Sequence, residues 1–250
     1  MKPKLSIIIT AYREEANIFK TIDEILKAHD VLEYGYEIIV VVDGSPDRTA
    51  SEAKKHRSKK VHVFEYAVNQ GKGYALKYGV KKARGEIITF VDAGGDFNPC
   101  QFDKCVKLME IFNADFVIGS KRHPASQINY PLARRIYSWG YHRMVKLLFG
   151  LNVTDTQTGL KFLKRNVARD VMPRMLVKRY AFDLELLVIA YQLGYRRIFE
   201  APVEMKFNSD NLGAGTLGTI YKMFLDTLAI FYRARILNYY QKKKNNRRSA

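Results

Sequence analysis

Cysteine is scarce in this sequence, and its scarcity excludes several classes of protein. Cys100 and Cys105 are the only two among 250 residues. Their spacing fits neither a C-x-x-C redox pair nor a zinc-binding pattern, and two cysteines cannot build a disulfide framework. We therefore expect two reduced thiols in a protein of the cytoplasm.

Long hydrophobic runs are missing as well. Charged residues interrupt every apolar stretch before it reaches the roughly 20 residues that a membrane-spanning helix needs. Hydrophobic residues nevertheless make up 47% of the chain, which is enough for a packed core and excludes wholesale disorder. We expect a globular protein without a transmembrane helix.

Acidic residues are few compared with basic ones. The chain has 42 Lys and Arg against 25 Asp and Glu, a formal net charge of +17. Such an excess indicates an anionic partner, which is a nucleic acid, an anionic membrane face or a phosphorylated substrate. We expect no nucleic acid, because the charge is spread through helices and the tail and no recognised nucleic-acid motif is present.

The first half of the chain alternates strand and helix patterns. The segments LSIIIT, YEIIVVVD, VHVFEY, EIITFVDA and ADFVIGS have the composition of buried strands, and helical patterns separate them. Strands that are apolar throughout predict an α/β fold with a mostly parallel sheet covered on both faces. Ligands of such sheets bind beyond the carboxyl ends of the strands.

The second half is dominated by helical patterns. One covers PLARRIYSWGYHRMVKLLFG, a second covers AFDLELLVIAYQLG and ends at Gly194, and a third runs from Thr216 to Tyr240. The third is amphipathic. It suits either the membrane interface or packing against the core or a second subunit, and the pattern leaves both open.

Two carboxylates follow the fourth predicted strand. Asp92 and Asp96 flank the pair Gly94 and Gly95. Mg²⁺ is commonly held by one or two carboxylates together with substrate phosphates. Asp and Gly are also ordinary turn residues, so a cation site and a simple turn are both compatible with this stretch.

Other polar residues follow the neighbouring strands. Asp43 suits a hydrogen bond to a base or ribose, or an Asx turn. Lys72 lies between glycines where a helix begins, a position that favours phosphate, although the Walker spacing is missing. The basic residues after the fifth strand suit a phosphate or a solvated surface; they are Lys121, Arg122, Arg134 and Arg135.

In this order, the motifs resemble one family. TAYREEANI, VVDGSPDRT, NQGKGYAL, GSKRH, DTQTGLKF and RYAFDLELL are similar to segments of the family 2 glycosyltransferases of the GT-A fold, especially the polyprenyl-phosphate (dolichyl-phosphate) mannosyl- and glucosyltransferases. The resemblance covers Leu5 to Phe207. It implies an inverting enzyme that moves mannose or glucose from GDP-mannose or UDP-glucose to a polyprenyl or dolichyl phosphate, with Mg²⁺ or Mn²⁺ as cofactor.

The resemblance also implies roles for individual residues. The residues expected to bind the nucleotide sugar are Ala11, Tyr12, Glu14, Asp43, Lys72, Asp92 and Arg179. The lipid phosphate is expected to bind Arg122, Arg134 and Arg135. The metal is expected to bind Asp92 and Asp96. Asp92, Asp155 and Arg122 are the expected catalytic residues. Asp155 would position the sugar or the acceptor, although it also suits the cap of its own turn.

The chain departs from the family pattern at three positions. Thr10 replaces a proline, and Val42 replaces one of two acids before Gly44. Gly94 replaces the second acid of the family's DAD segment, which is why Asp96 is inferred to complete the metal site with Asp92. A degenerate, non-catalytic relative is therefore an alternative.

The acceptor implies contact with a membrane, because a polyprenyl chain stays in the bilayer. We expect a catalytic domain over residues 1–207, a loop and amphipathic interface helix over 208–240, and a basic disordered tail over 241–250. The expected location is the cytoplasmic face of the cell membrane, as a peripheral or monotopic protein. The alternative acceptor is a soluble glycan or protein.

Overall fold

The computed structural model describes residues 2–29, 34–94, 98–126, 132–156, 158–177, 181–204 and 217–241. For residues 132–138, 217, 219 and 220 it describes the backbone only.

Within the described ranges, seven strands form one sheet in the order β3-β2-β1-β4-β6-β5-β7. Strand β6 is antiparallel to β4 and β5, and the other neighbours are parallel. The predicted mostly parallel sheet is therefore confirmed. The strands are β1 Leu5–Ala11, β2 Tyr36–Asp43, β3 Val61–Tyr66, β4 Ile87–Asp92, β5 Phe116–Ser120, β6 Lys161–Lys164 and β7 Ile198–Pro202.

The apolar strands are explained by helices on both faces of the sheet. Along β1, Ile8 belongs to one core cluster while Ile7 and Ile9 belong to the other, as the alternation of side chains along a strand requires. The helices are α1 Ile18–His29, α2 Thr49–Lys54, α3 Lys72–Lys82, α4 Phe102–Ile111, α5 Leu132–Phe149, α6 Arg165–Val171, α7 Phe182–Gln192 and α8 Leu217–Phe231.

Strand β6 was not predicted from the sequence. It is only four residues long, and Lys161 and Lys164 flank its two apolar residues. Its register comes from pairing on both sides, with Phe162 opposite Thr89 of β4 and Val117 of β5. Partners so distant in the chain leave no local pattern, so the strand is visible only in the folded sheet.

The C-terminal helix is shorter than predicted. Helix α8 ends at Phe231, and a π-helical turn, Tyr232–Ile236, follows it. Asn238 has a left-handed φ of 48°, which ends the helical path, and Tyr240 is completely buried. The chain beyond α8 therefore returns to the core.

Helix lengths and hydropathy also bear on membrane topology. Over the part of the chain that the structure describes, we find no helix with the length and apolar character needed to span a bilayer.

Candidate active site

The loops after β1 and β2 form one surface at the carboxyl edge of the sheet. The Arg13 amide donates to the Ser45 hydroxyl (2.8 Å), and the Glu14 amide donates to the Thr49 hydroxyl (2.8 Å). Two segments singled out in the sequence, AYREE and DGSPDRT, are thus joined. Tyr12 lies exposed on this surface, whereas Ala11 is buried at the end of β1.

Asp47 organises the start of α2. Its carboxylate accepts hydrogen bonds from the Ser45 hydroxyl (2.6 Å) and from both the amide (3.1 Å) and hydroxyl (2.6 Å) of Thr49. Burial opposes ionisation, but the hydrogen bonds from Ser45 and Thr49 prevail and lower the pKa of Asp47 to about 2. Asp47 was not predicted as a site residue, although it lies within the DGSPDRT motif.

Asp43 is buried at the end of β2 and organises the loop that leads into α3. One carboxylate oxygen accepts from the Tyr66 hydroxyl (2.8 Å) and the Gln70 amide (2.7 Å), and the other accepts from the Gly71 amide (2.8 Å). These contacts position the glycines before Lys72. The predicted contact between Asp43 and a base or ribose stays a prediction.

Gly44 is required by the same arrangement. Its φ is +58°, and a Cβ atom built on it would lie 2.2 Å from the backbone nitrogen of Asn69. A side chain would therefore separate the turn after β2 from the loop after β3.

Lys72 and Asp92 meet where α3 begins and β4 ends. The ammonium group lies 2.6 Å from the carboxylate, and both side chains are about half exposed. Together with the loops 12–15, 43–49 and 69–71, this pair makes a surface that we call the first loop cluster. It offers backbone amides, a cation and a carboxylate to a ligand beyond the sheet.

A second loop cluster lies at the end of β5 and consists of residues 120–126, 154–155 and Glu200. The Asp155 carboxylate accepts from the Lys121 amide (3.0 Å), and the Asp155 amide donates to Glu200 (3.0 Å). Glu200 also accepts from the amide and hydroxyl of Thr154, both at 2.8 Å. Asp155 is largely buried, so it holds the basic loop in place.

Arg122 belongs to this cluster. Its amide donates to the Ser120 hydroxyl at 3.3 Å. Burial, with the nearby positive charges of Arg122 and Lys146, lowers the pKa of His142 on α5 below its ordinary value. His142 is therefore neutral at pH 7, and α5 lies next to the predicted phosphate-binding arginine.

Two motifs far apart in the sequence are linked by a buried ion pair. Lys161 of DTQTGLKF is completely buried, and its ammonium lies 2.8 Å from Asp183 of RYAFDLELL. It also donates to the carbonyl of Thr158. Neither Lys161 nor Asp183 was predicted as a site residue, nor was Glu200. For Lys161 and Asp183, the only indication in the sequence was that they lie within the motifs DTQTGLKF and RYAFDLELL.

Several predicted site residues lie outside what the structure describes. These are Asp96 and Arg179, and the side chains of Arg134 and Arg135. Their roles stay predictions.

The described residues fit a divalent cation only in part. Among them, no three His, Cys, Asp or Glu side chains come together as a metal site. Asp92 is exposed enough to bind a ligand and already lies against the ammonium cation of Lys72. A hard cation that takes one carboxylate and completes its shell with diphosphate oxygens and water is compatible with this arrangement.

Exposed apolar side chains lie on α8, on the segment that follows it and on α5. On α8, four exposed apolar side chains repeat at helical spacing, on the side opposite the buried Thr227 and Ile230. The Tyr141 and Thr227 hydroxyls lie 3.1 Å apart and join the two helices. We call this surface the α5–α8 face, and it comprises Trp139, Leu147, Tyr221, Phe224, Leu225, Leu228, Tyr232, Ile236 and Leu237.

The sheet and its two loop clusters place the chain among α/β proteins that bind a ligand at the carboxyl edge of the strands. The chain belongs to glycosyl transferase family 2, whose family model matches residues 6–172. The family predicted from the motifs is confirmed, and with it the prediction of a glycosyltransferase at the level of the family.

Two curated relatives carry the same description. The dolichyl-phosphate beta-glucosyltransferase of Drosophila melanogaster is 35% identical over 206 residues, which cover 76% of this chain and 63% of the fly protein. A dolichyl-phosphate beta-glucosyltransferase of Trichomonas vaginalis is 32% identical over 244 residues, covering 92% of this chain and 72% of that protein. The chain thus matches less than two thirds of the fly protein's length.

The fold is shared with a solved glycosyltransferase. Glucosyl-3-phosphoglycerate synthase from Mycobacterium tuberculosis, in complex with Mn²⁺, UDP-glucose and phosphoglyceric acid, superposes with a TM-score of 0.66 at 20% identity. The match covers 92% of this chain and 80% of that protein. The predicted GT-A fold is confirmed.

Proposed function

We propose that this protein transfers glucose from UDP-glucose to a dolichyl or related polyprenyl phosphate at the cytoplasmic face of a membrane, as a peripheral or monotopic enzyme. The observation that carries the proposal is the 35% identity to a dolichyl-phosphate beta-glucosyltransferase. It favours glucose over mannose, and the UDP-glucose complex of the structural neighbour is compatible with that donor.

The first loop cluster is suited to the donor. Tyr12 offers an exposed aromatic ring to a base, and the glycines before α3 bring backbone amides and Lys72 to the diphosphate. Asp92 would hold the Mg²⁺ or Mn²⁺ ion, with Asp96 as the predicted second ligand. When bound, the ion would neutralise diphosphate charge and orient the leaving group.

The second loop cluster is suited to the acceptor phosphate. Asp155 fixes the amide of Lys121 and so presents Arg122 at the carboxyl edge, where Arg134 and Arg135 are predicted to assist. An acceptor phosphate oxygen forms the new bond to the anomeric carbon. The bond to the donor diphosphate breaks on the opposite face, and the nucleoside diphosphate leaves with the electron pair.

No strong general base is needed for this step. A phosphate monoester is already ionised near neutral pH, and its charge must instead be balanced as it approaches an anionic donor. Lys72 and Arg122 supply fixed positive charge where negative charge develops.

The α5–α8 face supports a lipid acceptor over a soluble one. Large exposed apolar surfaces mark sites where a protein meets a partner or a membrane, and this face carries nine exposed apolar side chains. Arg143 lies over the ring of Trp139 at 4.8 Å, and exposed Lys146, Lys222 and Arg235 accompany the apolar side chains. An aromatic and aliphatic surface with basic neighbours is typical of a helix lying in a membrane interface.

The proposal is tested by incubating the purified chain with vesicles that contain a short polyprenyl phosphate. UDP-glucose and GDP-mannose are offered separately, with Mg²⁺, Mn²⁺ or EDTA, and 3-phosphoglycerate serves as the soluble acceptor. We expect the lipid to gain one hexose only with UDP-glucose and a divalent cation, as read by mass spectrometry. Transfer from GDP-mannose alone, or to the soluble acceptor alone, contradicts the proposal.

Two variants sharpen this experiment. Asp92→Ala is expected to abolish metal-dependent transfer, whereas Asp103→Ala, which removes a carboxylate paired with Lys107 on α4, should leave it intact. Full activity of Asp92→Ala removes Asp92 from the metal site.

A further inference from the structure

Glu185 is a completely buried carboxylate that the proposed chemistry does not use. It lies in the first turn of α7. One of its oxygens accepts hydrogen bonds from the amides of Leu176 (2.8 Å) and Val177 (2.7 Å). The residues that lead up to residue 177 are therefore tied to the first turn of α7 by this side chain.

The other oxygen of Glu185 faces the C-terminal segment, residues 232–241. It accepts from the Tyr240 hydroxyl at 2.6 Å and lies 3.5 Å from the Arg233 guanidinium. Burial and the Glu185 carboxylate raise the pKa of Tyr240, so its hydroxyl stays protonated and donates. Burying a carboxylate without partners is unfavourable, and the Tyr240 hydroxyl, the Arg233 guanidinium and the two amides supply those partners.

The C-terminal segment is itself held in place. The Arg233 guanidinium donates to the Tyr240 hydroxyl (3.1 Å), and the Arg174 guanidinium donates to the Tyr240 carbonyl (3.1 Å). Arg174 is nearly buried. Tyr240 is thus fixed by both its side chain and its backbone.

A second contact joins the same stretch to the donor side of the site. The Lys77 ammonium of α3 donates to the Met175 carbonyl at 2.6 Å. Helix α3 begins at Lys72, which pairs with Asp92. Residues 175–177 are therefore connected to two helices, α3 and α7, whose first turns carry Lys72 and Asp183.

We infer that Glu185 is a positioning residue, locked by Tyr240 and Arg233, through which the C-terminal segment holds residues 175–177 between α7 and α3. The kinetic part of this inference rests on the proposed function. Loosening residues 175–177 is expected to weaken the support of α3, whose first turn carries Lys72, and so to weaken donor binding more than it weakens the fold.

Hydrogen exchange tests the structural part without any substrate. Tyr240→Phe keeps the ring and removes only the hydroxyl. We expect amide exchange at Leu176 and Val177 to accelerate about tenfold, which corresponds to one hydrogen bond of about 1.4 kcal/mol. The matched control Tyr195→Phe removes another tyrosine–carboxylate bond, to Asp170 at 2.7 Å. Unchanged exchange in Tyr240→Phe, or equal acceleration in both variants, overturns the inference.

A double-mutant cycle with Lys77→Met, which removes the contact to the Met175 carbonyl, tests the functional part. Tyr240→Phe is expected to raise the KM for UDP-glucose about three- to tenfold with a smaller change in kcat, and to add little when Lys77 is already Met. Additive effects would show that Tyr240 does not act through this stretch and would overturn its positioning role. If the wild type transfers no sugar, the proposed function fails, and the exchange experiment still decides the inference.

Discussion

Lys161 has no exposed surface, and Asp183 neutralises it at 2.8 Å. Buried charges are tolerated only when they are paired and hydrogen-bonded. The same rule applies to Asp43, whose two oxygens accept three hydrogen bonds. At the residue scale, the polar side chains of the motifs therefore position loops, in addition to the ligand-binding roles predicted for them.

Removing one member of the buried pair should be costly. Asp183→Ala leaves the Lys161 ammonium without its counter-charge, and we expect a loss of about 3 kcal/mol in the free energy of unfolding. Combining it with Lys161→Met should recover a large part, because the buried charge is then gone. Urea unfolding measures both changes.

The control for this prediction is a surface pair of similar length. Asp23 lies 2.7 Å from Lys27 on the exposed face of α1, where water screens the pair and its contribution to stability is small. Equal losses in Asp183→Ala and Asp23→Ala would contradict the assigned burial.

Helix α8 shows how one element serves two environments. Ile230 packs into the core, while Leu225 and Leu228 remain 45% and 39% exposed on the opposite side. The sequence pattern left open whether this helix packs against the core or lies in a membrane interface. One side of the helix packs against the core, and the opposite side is exposed. The exposed half is the part that the proposed membrane contact uses.

Charge introduced on the α5–α8 face should weaken membrane binding. Leu225→Asp with Leu228→Asp removes two apolar contacts and adds repulsion from anionic lipid. We expect at least a roughly tenfold lower partition coefficient on anionic vesicles in a sedimentation assay.

Ile111→Asp provides the matched control, because Ile111 is 73% exposed at the end of α4, outside the α5–α8 face. Binding that is insensitive to the α8 substitutions, or equally sensitive to Ile111→Asp, would show that the membrane contact lies elsewhere.

The whole molecule combines a net charge of +17 with carboxylates that the fold keeps ionised. Hydrogen bonds from Ser6 and Arg84 outweigh burial and lower the pKa of Glu37, and the pKa of Asp47 falls to about 2. Protonating such groups removes the stabilisation that their contacts in the folded state provide.

Stability should therefore decline in acid. Asp47 has a lower pKa folded than unfolded, so its contribution is complete above about pH 4 and is lost as the pH falls towards 2. His142, with its lowered pKa, adds a loss that begins below about pH 6.5, because the unfolded chain binds that proton first. Urea midpoints measured from pH 8 to pH 2.5 would show both.

Asp47→Asn separates the two contributions. This variant should lose part of the decline between pH 4 and 2 while keeping the decline that begins near pH 6.5. An unchanged profile below pH 4 would mean that Asp47 is not the titrating group.

The sequence by itself determined the strands β1 to β5, the main helices and the order of the motifs, because apolar periodicity and turn residues act over a few neighbouring positions. It thereby also determined the family. The tertiary structure decided what distant residues do to one another: the antiparallel place of β6, the Lys161–Asp183 pair, the Glu200 contacts and the return of Tyr240 to Glu185. These contacts join residues that lie 22 to 77 positions apart in the chain. No local pattern relates such distant residues, since burial and hydrogen-bond partners exist only once the chain has folded.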